Sequence, residues 1–351
     1  LLPGGVASDR RHRGTWLSFL YLLYLLPLGI ILASVMTGDL SFSLLLLFGV
    51  AFGTISAFVQ PARESLVGYA APEIMHQAVA KVLMTQFIAQ GVGFWVAGQL
   101  DIISLPQLLG FQMLIFIISS VLVKRSHPAP LTTEKPATET KTVKHSWQEL
   151  REGLQIFRDD KGLLHLLMIV FATGFLAFGV YLVGMPLIAR ELYNGGVGLY
   201  ATLQIVFSVG IVSANFGVMK RSKMFNRAGR LMVISFLMRG SLVGIVATVP
   251  SMWGLILVVY VWGFFSGLSM TLGRTILHNQ VPHLVRSRAA SVYQLCLFGG
   301  APLGAWVCGF AVENLGLSAA FMAVAASSFM VALLTALFSP LWHVRGDTSK
   351  A

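Results

Sequence analysis

Ten nearly uncharged stretches of about twenty residues constrain this chain more than any single motif, because that is the length a helix needs to cross the hydrocarbon core of a bilayer. They cover residues 15–36, 40–60, 82–100, 102–123, 163–188, 198–219, 231–249, 252–272, 291–312 and 317–338. Only 11% of the residues are charged against 56% hydrophobic, whereas a soluble domain carries about 25% charge. The sequence therefore predicts an all-α, multi-pass membrane protein. Its net charge of +11 would suggest a nucleic-acid partner in a soluble chain. Here 23 of the 25 Lys and Arg fall in the loops and tail on one side of the ten spans. That is the positive-inside bias, so no nucleic acid is expected, and those loops and the C-terminus are expected in the cytoplasm.

The polar segments divide the chain. Gly5-Val6-Ala7-Ser8-Asp9-Arg10-Arg11-His12-Arg13-Gly14 packs an acid, three arginines and a histidine between glycines, ahead of the first apolar run. The longest polar stretch, 124–161, begins rich in Pro, Thr, Lys and Glu, as a flexible linker does. Ser146-Trp147-Gln148-Glu149 then has the form of a capping box. After it, Trp147, Leu150, Leu154 and Phe157 share one helical face, opposite Arg151, Glu152 and Arg158, which predicts an amphipathic helix on the inner membrane surface. The expected organisation is an N-terminal bundle over 1–123, the linker over 124–161, a C-terminal bundle over 162–340 and a tail over 341–351.

An internal repeat links the two halves. Gly5-Val6 recurs as Gly217-Val218 at an offset of 212, and Arg63-Glu64-Ser65-Leu66 as Arg274-Thr275-Ile276-Leu277 at 211. Pro72 and Ala80 recur as Pro282 and Ala290 at 210, and Gly93 and Gly98 as Gly304 and Gly309 at 211. Offsets that agree within one residue across a half mark a duplicated unit. The second half, from Lys161, holds six spans, and 161 minus 211 puts the matching start of the first at about residue −50. The repeat thus predicts a twelve-helix parent that lacks its first two helices here.

These residues resemble the major facilitator superfamily, which is built from two parallel six-helix bundles. Gly5, Asp9, Arg10 and Arg13 look like the family's signature loop between its second and third helices; His12 and Gly14 depart from the pattern, and the copy over 217–230 has Lys220 and Arg221 where an acid would sit. Gln60-Pro61-Ala62-Arg63-Glu64-Ser65-Leu66, Glu149-Leu150-Arg151-Glu152-Gly153-Leu154 and Gly300-Ala301-Pro302-Leu303-Gly304 are similar to the drug and siderophore exporter branch, which includes enterobactin-type exporters. The resemblance implies that Asp9 caps a helix of the other half and holds the outward-open state. Pro61, Arg63, Arg274, Pro282, Arg286 and Arg288, in equivalent interhelix loops, are expected to act as paired structural latches beneath the two halves.

Polar residues recur at helical spacing inside the spans: Gln60; Gln86 and Gln90; Gln204, Ser208 and Asn215; Trp262 and Ser266; and Gln294. Such stripes suit helix-packing faces. They equally suit a neutral cavity for a bulky amphipathic solute, and the resemblance places these helices around the family's central cavity. Arg239 lies near the middle of a span, where an arginine costs about 2.5–3.5 kcal/mol, and is expected to have a structural partner. Asp39, Asp101, Glu191 and Glu313 all fall at the outer ends of spans, so no carboxylate for proton coupling stands within them. No His-Glu-x-x-His, phosphate-binding Gly-rich loop or Gly-x-Ser-x-Gly is present, and no cofactor or metal is expected.

The expected function is that of a monomeric secondary transporter of the cytoplasmic membrane, in contact with lipid, exporting a drug-like or siderophore-like organic compound, with protons as the candidate coupling ion. The alternatives are uptake of an organic metabolite or a lysolipid, or a non-transporting membrane sensor or scaffold.

Overall fold

Runs of Leu, Ile, Val, Phe and Ala leave their backbone no water to bond to in lipid, so each run must close its hydrogen bonds within itself as a helix. The computed structural model describes residues 13–67, 75–99, 102–125, 154–155, 157–158, 160–220, 227–281 and 286–343, and every regular element among them is helical. The first span comprises α1 (Arg13–Leu23) and α2 (Leu25–Thr37), interrupted at Tyr24. Then come α3 (Phe42–Val67), α4 (Met75–Ala97) and α5 (Leu105–Arg125). The next span is compound: α6 (Lys161–Ala172), a π-helical turn (Thr173–Phe178), α7 (Gly179–Leu187) and a second π turn (Ile188–Leu192). It is followed by α8 (Val197–Lys220), α9 (Ala228–Ala247), α10 (Met252–Gln280), α11 (Arg286–Leu315), α12 (Leu317–Phe338) and a 3₁₀ turn (Pro340–His343).

Among the described residues nine helical stretches are long and apolar enough to cross a membrane. The remaining long helix, α4, has 23 residues, but Lys81, Gln86 and Gln90 dilute its apolar run. Local chemistry sets several boundaries. Asp160 Oδ1 accepts hydrogen bonds from the Gly162 and Leu163 amides at 2.7 and 3.1 Å and so starts α6. Ser251 Oγ does the same for the Gly254 amide at the head of α10. Gly38 and Gly316, at φ of 81° and 82°, turn the chain between successive helices.

Two expectations change here. Pro61, Arg63 and Arg274 stand inside α3 and α10, and Arg286 and Arg288 form the first turn of α11, so none of these five is in an interhelix loop. Hydropathy marks where a helix leaves lipid, but the backbone bonds that hold a helix continue into polar sequence. Phe157, expected on the membrane surface, is instead fully buried in the core cluster that also holds Leu163 and Leu166. Trp147, Leu150, Arg151 and Glu152 lie outside the described residues, as do Gly5, Asp9, Arg10 and Pro282.

The helices form two units, Leu1–Tyr69 with Gln99–Gln148 and Ala70–Gly98 with Glu149–Ala351. In the first, Tyr24 anchors a small core: its ring lies 4.4 Å from Phe52 and 4.6 Å from Phe116, and its hydroxyl is 2.7 Å from Ser56 Oγ. Ser18 and Ser120 join α1 to α5 through a 2.7 Å hydroxyl pair. In the second unit, α4 packs with α8 and α10 although its place in the sequence groups it with the first half: Leu83 and Phe87 are buried with Leu203, Phe207 and Trp262. Its glycines allow this, since a Cβ at Gly98 would stand 3.0 Å from Ala201 Cβ. Leu46, Leu47, Phe310 and Phe329 remain exposed, a face suited to lipid.

Backbone-to-backbone contact welds the second unit. A Cβ at Gly304 would lie 1.8 Å from the Phe175 carbonyl oxygen, and one at Gly174 would lie 2.2 Å from that of Leu297, so α11 crosses the π turn with no room for a side chain. A Cβ at Gly210 would lie 2.2 Å from the Tyr260 oxygen and one at Gly263 2.1 Å from the Phe207 oxygen, which interlocks α8 with α10. Gly304→Leu is therefore expected to destabilise the protein by at least the ~1–3 kcal/mol typical of overpacking, read as a lower melting temperature in detergent micelles. Gly309→Leu, where nothing lies within 4 Å of the added Cβ, is expected to leave it unchanged. Equal melting of the two variants would refute the crossing as a constraint.

Candidate functional site

The expected polar stripe of α8 meets three neighbours, α7 at Gln204, α4 at Ser208 and α10 at Asn215, and the compound span adds a residue the sequence did not single out. Tyr181, on α7, donates its hydroxyl hydrogen bond to Gln204 Oε1 on α8. Its ring lies 4.7 Å from Phe207 and 6.3 Å, edge to face, from Trp262, and Phe207 and Trp262 meet edge to face at 5.9 Å. Phe178 extends the group, 5.7 Å from Tyr181 and 6.4 Å from Phe298 on α11. The result is a buried patch of three aromatic rings around one amide, with α4 alongside through Phe87. Edge-to-face rings fix each other's orientation beyond what area burial does. The patch carries no formal charge and offers both a donor and an acceptor.

Ser208 follows one turn on, buried, its hydroxyl returned to the Gln204 carbonyl at 2.8 Å and its Cβ 3.7 Å from where a Cβ of Gly91 would sit. Asn215 is fully buried: its amide donates to the Ile211 carbonyl at 2.9 Å and its oxygen accepts from Thr271 on α10. Ser266 and Gln294 are buried and Gln86 and Gln90 half-buried, so the second unit holds all of these expected lining residues. Gln60 belongs to the first unit, where it accepts a 3.0 Å hydrogen bond from Arg63.

Arg239 is 3% exposed. Its Nη2 donates to Thr173 Oγ1 at 3.1 Å and to Ser269 Oγ at 3.4 Å, its Nε donates to the Ser235 carbonyl at 3.3 Å, and the guanidinium sits 5.5 Å from the Phe236 ring. Every hydrogen-bond partner is neutral. The acids with described side chains, Asp39, Asp160, Glu191 and Glu313, all stand at helix ends, and among the described residues no group could hold a metal ion. Among the described residues the buried side chains of the second unit offer hydrogen bonds, aromatic faces and one guanidinium.

Tyr181 and Thr173 escaped the sequence reading because each sits in an unbroken apolar run without a periodic marker. A usable signal was present, since a tyrosine buried in lipid or protein needs a partner for its hydroxyl.

Residues 1–349 match the model of the family described as "Transmembrane secretion effector". A search of curated proteins returns no significant match. Among solved structures, the chain is similar to the human organic anion transporter MFSD10 (TETRAN), at 14% identity and a TM-score of 0.71, with 95% of this chain and 82% of that one covered. It is also similar to the E. coli fucose:proton symporter FucP, at 12% identity and 0.62, covering 96% and 86%. A bacterial homologue of the iron transporter ferroportin, in an outward-facing state, matches at 14% and 0.60, covering 95% and 85%. All three are transporters, and at these identities they establish the fold, the all-helical major facilitator fold.

The Asn215–Thr271 bond joins α8 to α10 where neither side chain meets water. Asn215→Ala is expected to cost about 1–3 kcal/mol, the penalty for stranding a buried polar group, measured by thermal denaturation in micelles. Adding Thr271→Val is expected to cost little more, and full additivity of the two losses would show that they are not coupled.

Proposed function

We propose that this chain, which belongs to the major facilitator family described as transmembrane secretion effectors and is a secondary transporter, exports a drug-like or siderophore-like organic compound by alternating access. The observation that carries the reading is the neutral patch of Tyr181, Gln204, Phe207 and Trp262, contributed by three helices. Sites for small organic molecules are mostly apolar and aromatic with a few placed polar groups, and this patch has that make-up. Gln86 and Gln90 on α4 and Ser208 and Ser266 on α8 and α10 supply further neutral hydrogen-bonding groups. The word "secretion" in the family description favours export over uptake.

The Lys and Arg asymmetry supports a cytoplasmic-membrane location with the C-terminus inside. Gly5, Asp9, Arg10 and Arg13, the last of them the first residue of α1, remain the proposed gating group, and Arg63 and Arg274, inside α3 and α10, the proposed latches. Coupling to proton entry is part of the proposal.

The test is uptake of ethidium and of a catecholate siderophore into energised everted vesicles from cells making the protein. Accumulation of either compound above vesicles without the protein, abolished by a protonophore, is expected. Gln204→Ala is expected to raise the half-saturation concentration about fivefold, the equivalent of one hydrogen bond near 1 kcal/mol. No accumulation of either compound would overturn export of these classes, and accumulation unaffected by the protonophore would overturn proton coupling.

A further inference from the structure

Arg239 is buried with neutral partners only, and its contacts suggest what it does for the rest of the second unit. It reaches out of α9 to two other helices at once, bonding Thr173 at 3.1 Å and Ser269 of α10 at 3.4 Å. Thr173 is the first residue of the π turn, and the turn is closed by the Gly179 amide bonding the Gly174 carbonyl five residues back. A π turn inserts one residue into an α-helix. Every side chain after it is therefore rotated by about 100° relative to an unbroken α-helix of 3.6 residues per turn.

Tyr181 follows the turn by three residues, so the inserted residue decides which way its ring points. With the turn in place Tyr181 is 8% exposed, against Gln204, Phe207 and Trp262, while Leu182 beside it is 48% exposed. In an unbroken helix Tyr181 would take the direction Leu182 now has, and the amide of Gln204 would lose its donor. The α11 crossing at Gly174 presses on the turn from another side, with no room for a Cβ. The Arg239 guanidinium adds a directed hydrogen bond to the first residue of the turn.

We propose that Arg239 is a positioning residue for the aromatic–amide patch: by tying Thr173 to Ser269 it holds the π turn, and through that turn it aims Tyr181 at Gln204. The functional half of this inference rests on the patch being the solute site; the structural half does not.

The structural half is read without any solute. The full chain, with Cys296 and Cys308 replaced by serine, carries a nitroxide at residue 182 or 183 and is reconstituted in liposomes, where oxygen accessibility is measured by electron paramagnetic resonance. In Arg239→Gln the label at 182 is expected to fall to the accessibility that 183 has with Arg239 intact. Thr173→Val, which removes one hydroxyl and leaves the charge, is expected to give the same shift and guards against a variant that fails to fold. Unchanged accessibility at both positions in both variants would overturn the proposal. The functional half is read with ethidium in everted vesicles. Tyr181→Phe and Arg239→Gln are each expected to raise its half-saturation concentration about fivefold, as for one lost hydrogen bond, and Arg239→Gln is expected to add nothing further when Tyr181 is already Phe. Multiplying effects would overturn the route through Tyr181. If the label shifts but ethidium does not move in the unaltered protein, the positioning stands and the assignment of the patch to this solute falls.

Discussion

Helices in a membrane gain little from hiding apolar surface from one another, because lipid tails are as apolar as leucine. Association then depends on close van der Waals fit and on polar groups that find each other. The second unit uses both. Gly174, Gly179, Gly300 and Gly304 let two backbones meet where any side chain would collide, and Gly210, Gly263 and Gly267 do the same for α8 and α10. One polar link sits on the second seam, Thr271 to Asn215 across α10 and α8, and others tie further pairs: Tyr181 to Gln204 across α7 and α8, and Arg239 to Thr173 and Ser269 across three segments.

The burial of these polar groups bears on how the site works. A hydrogen bond in a dry interior is worth more than one in water, and an unmade one costs more, so each link selects one register of its two helices. Tyr181 illustrates this: its phenol is both the edge of an aromatic cluster and the hydroxyl that donates to the Gln204 side-chain oxygen. The first unit is plainer, with one tyrosine between two phenylalanines and a pair of serines carrying its specificity.

Much of this was legible in the sequence because lipid imposes a length and a polarity that a one-dimensional pattern records. The span over 317–338 coincides with α12, and Gln204, Ser208, Asn215, Trp262 and Ser266 were marked by helical spacing before any fold was known. Where helices outrun the bilayer the same pattern fails: Arg63 and Arg274 read as loop residues since hydropathy falls there, yet the hydrogen-bond ladder continues to Val67 and Gln280. Phe157 read as a lipid-facing residue because periodicity shows a face without showing what covers it.

The sequence by itself therefore determined that this chain crosses a membrane as helices and how its positive charge is distributed among the segments between them, since composition and spacing answer directly to the solvent. Only the tertiary structure decided that α4 packs into the second unit, that a π turn offsets the helix ahead of Tyr181, and that Arg239 reaches it through Thr173. Those are contacts between residues far apart in the chain, 66 positions in the case of Thr173 and Arg239, and no local period encodes which distant partner a side chain will meet.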